Sequence, residues 1–262
     1  MEFQPHTSAW YDRLAQLQEG YYYPWKSQLA PFNGEDTYFD LVKATLSSTA
    51  DVLEIGCGHG KDALELAPFC HSIFGYDRVA SYIELAQKAA EKSGLTNVTF
   101  YCADSSVTAN NNHSRIPAPY DHAFDLLISR RGPLHWIEDA RRVARPGAIL
   151  LELCVMETPS APWDYLLPAC FQSKKNMGSI REAVERRLQA ANIALHSCWT
   201  FDVPEIFPDV EQLYRFLSFG YTIEEVPPFE EMRPTLEHIF SHYAGPQGLE
   251  RRFGRLLWKA VV

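Results

Sequence analysis

At 262 residues, with 46% hydrophobic and 22% charged residues, the sequence has the make-up of a globular protein able to bury a sizeable core without cross-links. A formal charge of −9 counts against a long nucleic acid as partner, since phosphate binding needs a basic face, although a local basic rim stays compatible with one. No apolar run approaches the roughly 20 residues that span a bilayer, and "MEFQPHTSAWYDRL" lacks the basic start and apolar stretch of a signal peptide, so the cytoplasm is the expected compartment and no membrane is expected as partner.

Residues 1–49 are rich in aromatics, with helices expected at Ser8–Gln18 and Thr37–Leu46. They read as a helical, aromatic cap in front of a domain covering 50–262. From residue 50, short apolar runs alternate with amphipathic segments, the pattern of a parallel sheet covered by helices. Strands are expected at 51–55, 71–77, 97–104, 124–129 and 148–155. Helices are expected at 60–68, 79–92 and 134–144. The stretch "SSVTANNNHSRIPAPYDHA" is polar and aperiodic and reads as a loop over the sheet. After an irregular connection and a helix at 179–191 come two late strands, 194–203 and 255–262. A helical insert at about 204–254 separates them, with helices at 209–218 and 230–243.

The six cysteines are scattered, without a C-x-x-C pair, and read as free thiols, several of them in apolar runs. His238 and His242 have metal-compatible helical spacing but no third ligand in view, so no metal site is assigned.

The chemistry concentrates in "DVLEIGCGHGKD" (51–62), three glycines within five positions behind an apolar strand. A triphosphate loop needs glycine where Ile55 stands and a hydroxyl where Asp62 stands. A dinucleotide fingerprint needs G-x-G-x-x-G, and Lys61 occupies its third glycine position. Glu54, two residues before the first glycine, is awkward beside pyrophosphate and suits a cationic ligand. His59, inside the loop, reads as a loop residue whose side chain faces away.

Glu54-Ile-Gly-Cys-Gly-His-Gly60 resembles the first motif of class I S-adenosylmethionine-dependent methyltransferases. Further points agree in order: Asp77 closing the second strand, Asp104-Ser105 after the third, Phe124-Asp125 opening the fourth, and the Arg145-Pro-Gly turn before the fifth. The resemblance implies a Rossmann-like α/β fold with a seven-stranded, mostly parallel sheet, helices on both faces and an antiparallel last strand. It implies S-adenosyl-L-methionine as cofactor, held by Glu54, Gly56, Cys57, Gly58, Gly60, Asp77, Arg78, Asp104, Ser105 and Ser129. Within it, Asp77 falls on the ribose hydroxyls and Asp104-Ser105 on the adenine. The sequence after the fourth strand, Ser129-Arg-Arg-Gly-Pro133, departs from the [D/N]-P-P-[Y/F/W] loop of amino-methylating members acting on adenine or glutamine.

The expected activity is methyl transfer by in-line displacement to a small-molecule acceptor. His135 is a candidate base, and Arg130 and Arg131 are candidate clamps for a carboxylate or phosphate. Tyr21, Tyr22 and Trp25 are candidate walls of the acceptor pocket. An rRNA or tRNA base methyltransferase, and a non-catalytic S-adenosylmethionine-binding protein of the same fold, are the competing readings. The oligomeric state has no signature in the sequence.

Overall fold

The structure, a computed structural model, describes residues 8–106, 115–118, 120–172, 178–221 and 224–262. Nine residues of the expected loop over the sheet, 107–114 and 119, lie outside the described residues, as do 173–177 of the connection after the fifth strand.

In chain order the elements are α1 (Ser8–Leu17), β1 (Gln28–Leu29), α2 (Glu35–Thr45), β2 (Asp51–Ile55), α3 (Lys61–Leu66), β3 (Ser72–Asp77), α4 (Ala80–Lys92), β4 (Val98–Cys102), β5 (Phe124–Arg130), α5 (Ala140–Val143), β6 (Ala144–Met156), α6 (Ile180–Ala190), β7 (Ala194–Phe207), α7 (Val210–Leu217), α8 (Phe229–Tyr243) and β8 (Leu249–Val261). One sheet runs in the order β1-β7-β8-β6-β5-β2-β3-β4. The block from β4 to β6 is parallel. β8 enters antiparallel between β6 and β7.

The sheet has eight strands rather than the expected seven. Gln28 and Leu29 pair antiparallel with Ile206 and Glu205 at the edge of β7. Two residues are too short to show a period-2 pattern, so no sequence signal marks this strand. The helix expected at 134–144 is also different: a 3-10 turn over His135–Asp139 leads into the four-residue α5. β6 then begins at Ala144, taking the Arg145-Pro-Gly turn into the strand span, with a register shift against β5. The two late strands are longer than expected, because Pro204–Phe207 and Leu249–Gly254 extend the ladder.

Both faces of the central strands β2, β5 and β6 are covered, which is why these strands read as apolar runs rather than alternating ones. Leu53, Ile55, Leu127, Leu150 and Trp258 pack on one side with Trp136 and Ile137. Val52, Leu126, Ile128, Leu151 and Leu257 pack on the other with Tyr38, Val42, Leu66 and Ile83. Tyr38 and Val42 belong to α2 and are fully buried in this second cluster. A third cluster joins Trp163, Phe207, Leu213, Leu236 and Ile239 around α7 and α8, with Trp25 against it.

From β2 the chain runs outward through β3 to β4, then returns to β5 and β6 on the other side. That reversal puts a crevice at the carboxyl ends of β2 and β5, where loops of an open α/β sheet hold ligands. Asp51, Asp125 and Arg145 lie at the opposite edge: Arg145 donates to Asp51 at 2.9 Å and pairs with Asp125, tying β2 and β5 together.

Candidate active site

The loop after β2 turns through three left-handed residues, Gly56 (φ 66°), Gly58 (φ 54°) and Gly60 (φ 79°), a conformation that side chains with a Cβ rarely adopt. The three glycines differ in purpose. A Cβ on Gly60 would stand 2.7 Å from Phe100 Cζ and 2.8 Å from Ala86 Cβ, so this glycine lets α3 close on α4 and β4. A Cβ on Gly56 would stand 3.6 Å from Gly132 Cα and Pro133 Cδ, where the loop after β5 comes across. Around Gly58 that position is open, leaving bare backbone facing the crevice.

Asp77, at the end of β3, braces this loop. One carboxylate oxygen accepts from Gly58 N–H at 2.9 Å and the other from Val79 N–H at 2.9 Å. Burial raises its pKa, and these backbone donors pull it back. Each oxygen retains a lone pair for a hydroxyl. Cys57 is buried and donates its N–H to Tyr76 O at 3.0 Å. Asp104 accepts from Ser106 N–H (2.8 Å) and Oγ, and faces Arg78 Nε at 3.4 Å. Arg78 also reaches Asp12 of α1 at 3.1 Å. Ser129 is buried and donates to Ile55 O at 3.2 Å.

Glu54 is 4% exposed, beside Asp62 and Arg130, and its Oε2 has no partner. Burial, reinforced by the charge of Asp62, holds its carboxyl well above the usual range. A cationic donor at this oxygen would reverse that penalty.

The two arginines after β5 diverge. Arg130 forks onto Asp62 (Nε–Oδ2 2.6 Å, Nη2–Oδ1 2.7 Å) and reaches Glu35 Oε2 at 3.0 Å. Three of its five N–H groups are thus committed to carboxylates, an arrangement that anchors α2 and α3 to β5. Arg131, at φ 66°, swings the other way, donating to the Tyr23 hydroxyl at 2.6 Å with its guanidinium 5.3 Å from the Tyr23 ring centre. His135 Nε2 lies 2.7 Å from Ser105 Oγ, engaging the loop after β4, and burial lowers its pKa.

Over this edge lies the aromatic segment. Tyr21 N–H donates to His59 Nδ1 at 3.3 Å, and Tyr22 sets its ring 5.0 Å from that of His59. His59 therefore faces the segment and does not point away, because the segment folds back over the glycine loop. Tyr22 is 57% exposed and lies on the outside. Tyr23 stacks on Trp25 (4.6 Å, 29°), and both meet Phe219 edge-on. Tyr11 from α1 comes close enough to Asp77 for that carboxylate to help raise its phenol to about 12, burial being the larger cause and Tyr23 the next. Tyr11, Phe219, Glu35 and Asp62 stand at the edge of the site without a role assigned to them from the sequence, while Tyr23 lies within the Tyr21–Trp25 run that the sequence places at the acceptor pocket. Asp62 alone has a local signal there, as the acid that follows Gly60-Lys61. His238 and His242 sit far along on α8 with rings 4.1 Å apart, and no group of three metal-ligating side chains occurs among the described residues.

A family model described as "Methyltransferase domain" matches residues 46–218. Over 102 residues the chain is 48% identical to a 2-heptyl-1-hydroxyquinolin-4(1H)-one methyltransferase of Mycobacteroides abscessus, covering 37% of this chain and 43% of that protein. Over 108 residues it is 32% identical to a tRNA 5-carboxymethoxyuridine methyltransferase of Escherichia coli K12, covering 38% of each. The matches thus span less than half the length of these relatives. A functionally unknown protein of Deinococcus radiodurans R1 shares the fold at a TM-score of 0.66, with 23% identity over 95% of this chain and 97% of its own. The glycine loop, the acids closing β3 and following β4, and the matched domain model lead to one assignment: the chain belongs to the class I S-adenosylmethionine-dependent methyltransferase family.

Proposed function

We propose that the chain transfers the methyl group of S-adenosylmethionine to a small aromatic acceptor. The observation that carries the cofactor half is the open position at left-handed Gly58, whose N–H is held by Asp77, together with a buried Glu54 Oε2 that has no hydrogen-bond partner among the described residues. In this reading Gly56, Cys57 and Gly58 present backbone to the ligand, and Asp77 accepts from the ribose hydroxyls. Glu54 meets a positive end, while Arg78, Asp104, Ser105 and Ser129 line or brace the adenine side. Gly60 serves packing, and His135 is a positioning residue for Ser105.

Bound S-adenosylmethionine supplies an electrophilic methyl, taken up by an acceptor lone pair as the S–CH3 bond breaks with its electrons leaving on sulfur. The protein's part is alignment and exclusion of water. Tyr11, Tyr21, Tyr23, Trp25 and Phe219 make a wall of ring faces suited to both a flat acceptor and a sulfonium. A relative whose name specifies a hydroxyquinolone as substrate supports an acceptor of this size and shape.

Calorimetry with S-adenosylhomocysteine, followed by methyl transfer from labelled cofactor to a panel of hydroxylated aromatics, tests the reading. Asp77→Ala is expected to weaken cofactor binding by about tenfold or more, roughly 1.4 kcal/mol. Unchanged affinity in that variant, or tight binding of a nicotinamide dinucleotide instead, removes it.

A further inference from the structure

Arg255 is the buried cation that the methyltransferase reading leaves unexplained. It sits on β8 opposite Val155 of β6 and Phe201 of β7, near the carboxyl edge of the parallel block, and is only 3% exposed. Its nearest carboxylate is Glu35, at 3.6 Å, and its Nε has no hydrogen-bond partner among the described residues. The other oxygen of Glu35 is already held by Arg130 at 3.0 Å, and both oxygens of Asp62 are also taken by Arg130. Arg131 has a phenol for a partner and no carboxylate among the described residues. Arg130 thus occupies three of the four oxygens of Glu35 and Asp62, and Arg255 faces the fourth at 3.6 Å.

Burying a guanidinium without its own acceptor is costly. Burial, and then the neighbouring charge of Arg131, push Arg255 down to about 10. Arg131 N–H donates to Leu153 O at 2.8 Å and Arg255 lies opposite Val155, so the two arginines flank the same end of β6 from its two sides. That end borders the cofactor loop: Arg131 precedes Gly132, whose Cα lies 3.6 Å from where a Gly56 Cβ would stand. On its other side stand Tyr23 and Trp25, stacked as a flat wall.

Resting on the transferase reading, we propose that the acceptor carries a planar anionic oxygen group, a carboxylate or an ionised N-hydroxyl, bound by Arg255 and Arg131 while its ring lies against Tyr23 and Trp25. A guanidinium fork matches a planar oxyanion in geometry as well as charge. The anion supplies the acceptor that Arg255 lacks, so Arg255 and Arg131 are specificity-determining residues for the acceptor.

The test is calorimetric titration of the full chain, saturated with S-adenosylhomocysteine, with two matched pairs of probes. One pair is quinoline-2-carboxylate and quinoline-2-carboxamide; the other is 1-hydroxyquinolin-4-one and quinolin-4-one, so the two pairs separate the sources of the anion. At least one anionic probe is expected to bind about tenfold or more tightly than its neutral twin, the scale of a charged hydrogen bond. Arg255→Gln should abolish that preference and Arg131→Gln should reduce it, with S-adenosylhomocysteine affinity and melting temperature retained. Arg255→Lys should keep part of it. Should Arg255→Gln fail to fold, the more accessible Arg131→Gln carries the test alone. Equal or tighter binding of the neutral twins, no binding of either anion to the loaded protein, or a preference surviving the substitutions overturns the proposal. Failure to bind S-adenosylhomocysteine is a different result, removing the transferase reading on which the proposal rests.

Discussion

Glu152 lies fully buried in the middle of β6, where the Trp136 indole donates to Oε2 at 3.2 Å and Oε1 has no partner. Burial lifts its pKa to about 8, and the Trp136 donor pulls it only part of the way back. The unfolded chain releases this proton near pH 4.3, roughly the free glutamate value. Between those values the folded state binds the extra proton. Stability from this group is therefore full below the unfolded pKa and is lost as pH rises through about 8. Glu152→Gln keeps the shape and the acceptor for Trp136 but cannot ionise. Its melting temperature should exceed that of the parent chain by several degrees in mildly alkaline buffer and match it in acid. Parallel pH profiles for the two proteins would show that Glu152 ionises in the folded core as readily as in the unfolded chain. Glu54 shares the physics of burial but differs in place, standing beside the glycine loop where a cationic ligand can meet its free oxygen.

α1 owes its position to side chains from the other end of the chain. Trp10 is buried, edge-on to Phe219 (5.3 Å), and occupies the space where a Cβ on Gly220 would stand; Gly220 itself has φ 77°. Arg13 pairs with Glu225, and Arg215 of α7 donates to Pro24 O. The amino-terminal segment and the insert between β7 and β8 thus form one aromatic lid, contributed by opposite ends of the sequence. Truncating a fully buried tryptophan costs on the order of 3–5 kcal/mol, and at this position the truncation undocks α1 from the insert. Trp10→Ala should therefore expose the segment before β2 to limited proteolysis and weaken S-adenosylhomocysteine binding by about tenfold, since Tyr11 and Asp12 would leave Asp77 and Arg78. The sheet core should still melt cooperatively. Unaltered proteolysis and affinity would mean that α1 holds its place without Trp10.

Across the whole molecule the arginines are largely balanced. Arg142, Arg145, Arg233, Arg251 and Arg252 each sit within an ion pair with a neighbouring acid, and the formal charge is −9. Such a surface offers a phosphate backbone little counterion release. Single-stranded RNA should therefore show no micromolar binding at about 150 mM salt in a filter-binding assay. A salt-sensitive micromolar affinity would bring the RNA reading forward, as the similarity to a tRNA methyltransferase invites.

The amino-acid sequence alone determined the alternating elements, the parallel block and the glycine loop with its spaced acids, because these rest on local terms: apolar runs, left-handed glycines and turn residues acting over a few positions. What it left open is whatever depends on the meeting of distant segments. The two-residue β1 exists only because β7 offers an edge. α2 belongs to the core because Tyr38 and Val42 find the sheet face. Arg130 and Arg131, adjacent in the chain, part company because Asp62 and Glu35 hold one while Tyr23 draws the other. Arg255, over a hundred residues further on, reaches their neighbourhood only because β8 inserts antiparallel between β6 and β7. Strand pairing and charge pairing are both set by distance in space, and no spacing along the chain encodes that distance.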